Sequence, residues 1–336
     1  MRTPSLPATP IAFVRAIVAA YGRYGVDASN ALRQARITPR QLQEPRARIT
    51  AAQFEALSAY AMQELDDEAL GWFSRRLPWG SYGLLCRASV TAPSLGVALR
   101  RWCRHHRLLS DDVLLHLDET GDAATLWLEE RRAPADPVRE LCLVTLLRYV
   151  HGFASWAIDS RIALREARFA FAEPAHADMY PLMFPCPVSF GASATGMRFD
   201  ARYLALPLVR DEAATRAMLQ RALPLTVRPY RRDRLLVDRV RELLRADASA
   251  TADSLASALA MSVRTLHRQL AGDGTALQAL KDEARQAQAM GLLRQSDRPL
   301  KQVSAAAGFR NEKSFARAFR QWTGMAPGEW RRQARR

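Results

Sequence analysis

At 336 residues and 49% hydrophobic content, the chain is long enough for two folded domains of about 100–200 residues each. Its 49 Lys and Arg against 34 Asp and Glu give a formal charge of +15, which favours a polyanionic partner, either nucleic acid or an acidic membrane face. Four dispersed cysteines (Cys86, Cys103, Cys142, Cys186) form no C-x-x-C pair, which argues against a disulfide framework or zinc site and fits a reducing cytosol.

Met1 to Pro10 lacks the charged-then-apolar order of a secretory signal, so a cytoplasmic protein is expected. Ile11, Val14, Ile17 and Val18 stand at helical spacing and predict a helix to Tyr21, with a second over Ala28 to Ala35. Thr50 is expected to cap a third, from Ala51 to about Leu65, with Phe54, Leu57 and Met62 inward. Pro93 sits where a first-turn proline is tolerated, opening a helix that carries Leu95, Leu99 and Trp102. The period then changes: 113–117 and 124–128 alternate around Glu119-Thr120-Gly121-Asp122 and read as a β-hairpin. A long helix over Pro137 to Trp156 follows. Its stretch from Leu141 to Ile158 is the most apolar of the chain, but Arg148 and His151 interrupt it and Asp159 follows, which predicts a buried core helix and no membrane span. Strands are expected at Ala167 to Ala172, Val188 to Phe190 and Met197 to Phe199, and a helix from Asp211 to Leu223. Without βαβ alternation, this part reads as one α+β domain.

Pro224, Pro229 and Arg231-Arg232 mark a change of register, and the expected domains are 1–225 and 226–336. Residues 231–336 hold 21 Lys and Arg against 11 Asp and Glu, a net +10, whereas the first 230 carry only +5. That asymmetry places a nucleic-acid-binding unit at the C-terminal end.

Two helix-turn-helix patterns lie there, at about 251–271 and 300–322. Such a unit needs a small residue where its helices cross, a turn residue tolerant of positive φ, and an apolar residue returning to the core. Ala256, Ala260 and Leu266 meet these demands in the first unit, although Ala260 is a less comfortable turn residue than glycine. Ser262 is a good cap for the second helix, and with Leu266 and Leu270 inward, Arg264, His267 and Arg268 face out. In the second unit 303–309 supply the helix and a glycine turn. Asn311 caps the next helix, and Phe315, Phe319 and Trp322 form its apolar stripe. Glu312, Lys313, Ala316, Arg317 and Arg320 lie on other faces, open to a major groove. Leu255 to Val303 is a shift of 48 and Leu266 to Phe315 one of 49, so the units repeat one device with slightly different turns. A helix from Leu277 to about Gln295 would hold them nearly 30 Å apart at about 1.5 Å per residue, close to the roughly 34 Å of one DNA turn. A plainer reading, an all-helical bundle with Ala and Arg filling crossings and surface, is weakened by two such patterns in the most basic segment.

These residues carry a resemblance to the AraC/XylS family of transcription regulators, over about Leu255 to Arg331. Ala307-Gly308-Phe309, Ser314-Phe315, Arg317-Ala318-Phe319, Trp322-Thr323-Gly324, Pro327 and Arg331 fall at the family's spacings, and Gly274, Leu277, Arg285, Ala289 and Leu292-Leu293 match its connector. The resemblance implies a seven-helix domain with two helix-turn-helix units joined by a long helix. By position, Arg264, His267 and Arg268 are similar to groove-facing residues of the first unit, and Glu312, Lys313 and Arg317 to those of the second. Ser304 in place of the usual alanine, and Arg310 where a small or acidic residue is common, depart from the pattern. The N-terminal part resembles the arabinose-binding-like domain of one branch of the family, through Gly80-Ser81-Tyr82-Gly83-Leu84, the helix after Pro93, and 184–191 through Leu204 and Pro207. It implies effector sensing or dimerisation without naming the effector, and it implies RNA polymerase as a partner in activation.

His105 and His106 with Arg100, Arg101, Arg104 and Arg107 read as a solvated basic face, since adjacent helical histidines point about 100° apart; an acidic effector is the alternative. Trp72, Trp79, Tyr82, Trp102 and Trp127 read as core before they read as the wall of a pocket. No G-x-S-x-G, H-E-x-x-H or phosphate-binding glycine loop occurs, so neither an enzyme nor a cofactor or metal site is expected. The expected DNA-binding set is Ser262, Arg264, His267, Arg268, Asn311, Glu312, Lys313, Arg317 and Arg320, with Lys301 and Arg320 on phosphates. Competing readings are a nonspecific architectural DNA binder and a DNA-repair enzyme fused to a DNA-binding domain.

Overall fold

The computed structural model describes residues 9–222, 233–309 and 311–334. It divides the chain into two compact units, Met1–Arg232 and Asp233–Arg336. The expected boundary at 225/226, with Pro224, Pro229 and Arg231-Arg232, lies outside the described residues.

The first unit opens with a short strand, β1 (Thr9–Pro10), paired antiparallel with β2 (Arg48–Ile49). Around it stand α1 (Ile11–Arg23), α2 (Ser29–Gln34), α3 (Pro39–Gln43) and α4 (Ala51–Glu64). Thr50 caps α4 through a capping box, accepting from the Gln53 amide at 3.2 Å. Next come α5 (Ser81–Val90), which the sequence pattern left unassigned, and α6 (Leu95–Leu109). Pro93 stands before the N-cap Ser94 rather than in the first turn of α6.

The expected hairpin is present as β3 (Val113–Thr120) and β4 (Ala123–Glu130), joined through Gly121, whose φ of +61° favours glycine. With β5 (Leu164–Arg168), β6 (Val188–Ser189) and β7 (Thr195–Asp200) they form a sheet ordered β3-β4-β7-β5-β6, antiparallel except for the β5/β6 pair. Gly196 on β7 faces Trp127 on β4; a Cβ there would meet the Leu126 carbonyl oxygen at 2.9 Å, so only glycine lets the strands approach. The 20-residue α7 (Val138–Ala157) packs against α1 and α6 and against β4 and β7, which explains an apolar surface on nearly every side. Among the described residues no helix is long and apolar enough to cross a membrane. A short α8 (Tyr180–Met183) and α9 (Glu212–Leu219), capped by Asp211, complete the described part of the unit.

His106 corrects the reading of a solvated basic face on α6. Arg104 and Arg107 are exposed, but His106 is 3% exposed, edge-on to Phe73 at 6.1 Å, and burial pushes its pKa down to about 4. The aromatic residues divide: Trp72 and Trp102 are buried, whereas Trp79 is 54% exposed and Trp127 stacks half-buried on His116 at 4.3 Å.

The second unit has seven helices among the described residues: α10 (Leu236–Ala246), α11 (Ala252–Ala258), α12 (Val263–Gly272), α13 (Leu277–Gln295), α14 (Leu300–Ala306), α15 (Glu312–Thr323) and α16 (Pro327–Ala334). They enclose two hydrophobic clusters. Leu236, Val240, Leu244, Leu255, Leu259, Leu266 and Leu270 build the first, joined by Leu277 and Leu280 of α13. Val303, Ala307, Phe315 and Phe319 build the second, joined by Ala289 and Leu293 from the other end of α13. One continuous helix is therefore the shared wall of both cores. Between them Arg285 of α13 lies 5.4 Å over the Phe309 ring, and the Ala248 carbonyl approaches Gly308.

Candidate nucleic-acid interface

Each helix-turn-helix unit is built by local backbone chemistry. In the first, Thr251 caps α11, accepting from the Ser254 amide at 3.1 Å. The helix ends in a Schellman arrangement: the Met261 amide donates to the Ala256 carbonyl and the Ala260 amide to Ser257, each at 3.0 Å, with Ala260 at φ +49°. Ser262 then caps α12, accepting from the Thr265 amide at 3.2 Å.

The second unit repeats this 48 residues later. Phe309 donates to Ser304 and Gly308 to Ala305, again at 3.0 Å, with Gly308 at φ +76°. Asn311 caps α15, accepting from the Ser314 amide at 2.8 Å, which is 49 residues beyond the Ser262 cap. The extra residue of the repeat thus falls in sequence between Phe309 and Asn311.

The buried stripes set which faces remain outside. Leu266 and Leu270 are fully buried on α12, leaving Arg264, His267 and Arg268 exposed at i, i+3 and i+4 on one face. Phe315 and Phe319 are fully buried on α15, leaving Lys313, Arg317 and Arg320 exposed at i, i+4 and i+7, with Glu312 exposed in the first turn. None of these side chains is engaged in a hydrogen bond or ion pair among the described residues. Ser262 and Asn311 stand apart, because their side-chain oxygens are already used as helix caps. Ala316 is half-buried, and Lys301 is exposed in the first turn of α14. Arg310 lies outside the described residues.

One continuous helix holds these faces. Between the inward residues Leu280 and Ala289, α13 advances about 13 Å at about 1.5 Å per residue, and its full 19 residues span about 28 Å. Arg241 of α10 reaches Glu283 of α13 at 3.1 Å, and Arg331 of α16 donates to the Arg298 carbonyl at 2.7 Å.

The first unit holds groups that motif reading passed over. Arg148, noted in the sequence only as an interruption of an apolar helix, is 8% exposed on α7 and donates to the Met183 carbonyl, its guanidinium 5.7 Å from the Phe184 ring. Burial pushes its pKa down to about 10. Ser58 Oγ and Trp72 Nε1 are buried without a hydrogen-bond partner. Two of these left a trace in sequence, the arginine as a cation inside an apolar run and Trp72 among the aromatics weighed as a pocket wall; Ser58 left none.

Two capped helix-turn-helix units joined by one long helix, in a chain that also carries an α+β domain, define the class of DNA-binding transcription regulators. Residues 25–208 match the family described as the arabinose-binding domain of AraC transcription regulator, N-terminal, and residues 255–333 match a helix-turn-helix domain family. The chain belongs to the AraC-type family of transcription regulators. The ornithine utilization regulator of Pseudomonas aeruginosa is 27% identical over 325 residues, covering 96% of each chain. The transcriptional activator NphR of a Rhodococcus species is 35% identical over 154 residues, 46% of this chain and 42% of that one. The solved structure of the transcriptional regulator CdpR from Pseudomonas aeruginosa aligns over 91% of this chain and 96% of its own, at 23% identity and a TM-score of 0.31.

Proposed function

We propose that residues 226–336 read an operator through both recognition helices, while residues 1–225 sense a small-molecule effector or dimerise. The observation that carries this reading is the pair of exposed cationic faces, Arg264/His267/Arg268 and Lys313/Arg317/Arg320, fixed on one helix-joined frame without partners of their own. Arginines at such positions read guanine edges in the major groove, and Glu312 accepts from cytosine. Arg320 and Lys301 hold phosphates, and Ser262 and Asn311 stiffen the helix starts against the backbone. The chain then acts in the cytoplasm as an activator that presents its bound promoter to RNA polymerase, with the effector favouring one arrangement of the domains over another. Enzymatic function is not part of this reading: burial pushes the Cys103 and Cys186 thiols up to about 12, the opposite of an activated nucleophile.

Selection of the full-length protein on random-sequence duplex DNA, at fixed near-physiological salt, tests the reading. A motif of two blocks about one helical turn apart is expected. Enrichment of nothing beyond base composition, with and without candidate metabolites, would leave a nonspecific architectural binder instead.

A further inference from the structure

Helix α9 belongs to residues 209–254, which lie between the two family-matched stretches, and it is held to the first unit in an unusual way. Of its eight residues Thr215 alone is buried, and the Thr215 hydroxyl donates to the Asp211 carbonyl within the same turn at 2.8 Å. Eight residues are too few to stand as a helix alone in water, so docking decides whether α9 forms. Its two ends are held differently. Just before it, the Val209 amide donates to the Ala157 carbonyl at 2.9 Å and Arg210 Nε to the Trp156 carbonyl at 3.0 Å, both on the core helix α7. Just after it, Arg221 donates through Nε and Nη2 to the Glu55 carboxylate of α4 at 2.7 and 3.0 Å, although the arginine side chain is 65% exposed. Leu219 rests on Gly83 of α5, where a Cβ would stand 3.3 Å from Leu219 Cδ1.

The far end of α9 covers space rather than a packed core. A cavity of about 1020 Å3, its mouth included, lies there, walled by Met62, Trp79, Tyr82 and Tyr149 and, from the α9 side, by Leu219 and Arg221. A helix with little buried apolar surface, one exposed ion pair and a cavity beneath it sits at the low-stability end of a fold. It also precedes the second unit, which opens at Asp233. With α9 docked, the last clasped residue is Arg221; with α9 released, it is Arg210, eleven residues earlier. Release therefore frees at most about 36–40 Å of extended chain and widens the set of domain arrangements the connection permits. We propose that α9 is a regulatory strap, hinged at Arg210 and clasped by Arg221 on Glu55 and Leu219 on Gly83, whose release changes operator affinity. The proposal rests on the operator-reading function proposed above and supplies a moving part for it.

Hydrogen exchange on the full-length protein, read beside its affinity for a selected operator at fixed salt, tests the strap. Gly83→Leu puts a side chain where Leu219 now lies while raising the helix propensity of α5, so it lifts α9 without weakening its support. Exchange across 212–222 should become at least about tenfold faster, with α4 and α5 still protected. Glu55→Gln should speed it by about two- to fivefold, as fits an exposed ion pair, and Glu55→Arg combined with Arg221→Glu should return it towards wild type. Operator affinity should shift in one common direction and in the same order across these variants. Should Gly83→Leu loosen α5 as well, Leu219→Ala, made on the strap itself, replaces it and should likewise speed exchange across 212–222 and shift affinity. Exchange across 212–222 that stays unchanged, or that quickens while operator affinity does not move, overturns the strap and leaves operator reading intact. Failure to select any operator removes that reading and the regulatory role together.

Discussion

The two helix-turn-helix units share a backbone and differ in almost everything placed on it. Both close the first helix with the same pair of 3.0 Å hydrogen bonds around a left-handed residue, and both open the second on a side-chain cap. The first builds its core from leucines on α10, α11, α12 and α13. The second builds a smaller core around rings: Phe315 lies 5.5 Å from Phe309 and 5.6 Å from Phe319, which meets Trp330 at 5.8 Å. The first bends through an alanine, the second through a glycine. The difference teaches that the fold demands a turn geometry and an inward stripe, and leaves the residues that meet those demands open.

The largest effect should come from removing one ring. Phe315→Ala is expected to cost about 3–5 kcal/mol, since a fully buried aromatic leaves a cavity its neighbours cannot fill. Because the two cores touch different ends of α13, hydrogen exchange on the full-length protein should show the loss of protection chiefly in residues 300–334. Leu266→Ala should cost about 2–5 kcal/mol and act chiefly on residues 236–280. Equal loss in both halves from either change would make the pair one cooperative body and end the distinction between them.

On the outer faces the comparison concerns DNA. Arg317→Ala should weaken binding to a selected operator by about 1–3 kcal/mol and relax base preference under the second unit only, and Arg264→Ala should do the same under the first. Fluorescence anisotropy at fixed salt on operator and scrambled duplexes checks both. Weakening that is equal on the two duplexes would move that arginine from base reading to phosphate holding.

How far the sequence could be read follows the range of the forces involved. The caps Ser262 and Asn311, the Gly308 turn and the long helix, whose expected and observed bounds are both Leu277 to Gln295, depend on residues within a few positions of one another. The β3/β4 hairpin was legible for the same reason. Strand β5 was not: Phe169 and Phe171 drew the expected strand to 167–172, but they pack with Tyr180 and Phe190, and the ladder runs earlier, at Leu164–Arg168. Helix α5 escaped notice because Ser81, Gly83 and Ser89 are buried where helical periodicity looks for large apolar residues. Burial of His106 depends on Phe73, far away in sequence. The pocket that Ser58, Trp72 and Arg148 line together is the extreme case, since the three come from separate segments and meet only in the folded chain.

The smallest effect tests the turns themselves. Ala260 holds φ +49°, a region that costs a side-chain-bearing residue about 1–2 kcal/mol, whereas Gly308 at +76° bears no such cost. Exchanging the residues should therefore move stability in opposite directions. Gly308→Ala should cost about 0.5–1 kcal/mol, the strain of about 1–2 kcal/mol less the about 0.5–1 kcal/mol returned by a stiffer unfolded chain. That cost arises from φ rather than from crowding, because the added Cβ would meet the Ala248 carbonyl at 3.5 Å and Arg285 Nε at 3.6 Å, ordinary contact distances. Ala260→Gly should relieve the strain but give back about 0.5–1 kcal/mol through the looser unfolded chain, leaving a gain of about 0.5–1 kcal/mol. Local exchange protection of α11 and α12 reads the second change, and that of α14 and α15 the first. A loss of protection in Ala260→Gly would mean that the alanine methyl contributes packing worth more than the strain. The first unit would then be held by its side chains where the second is held by its backbone.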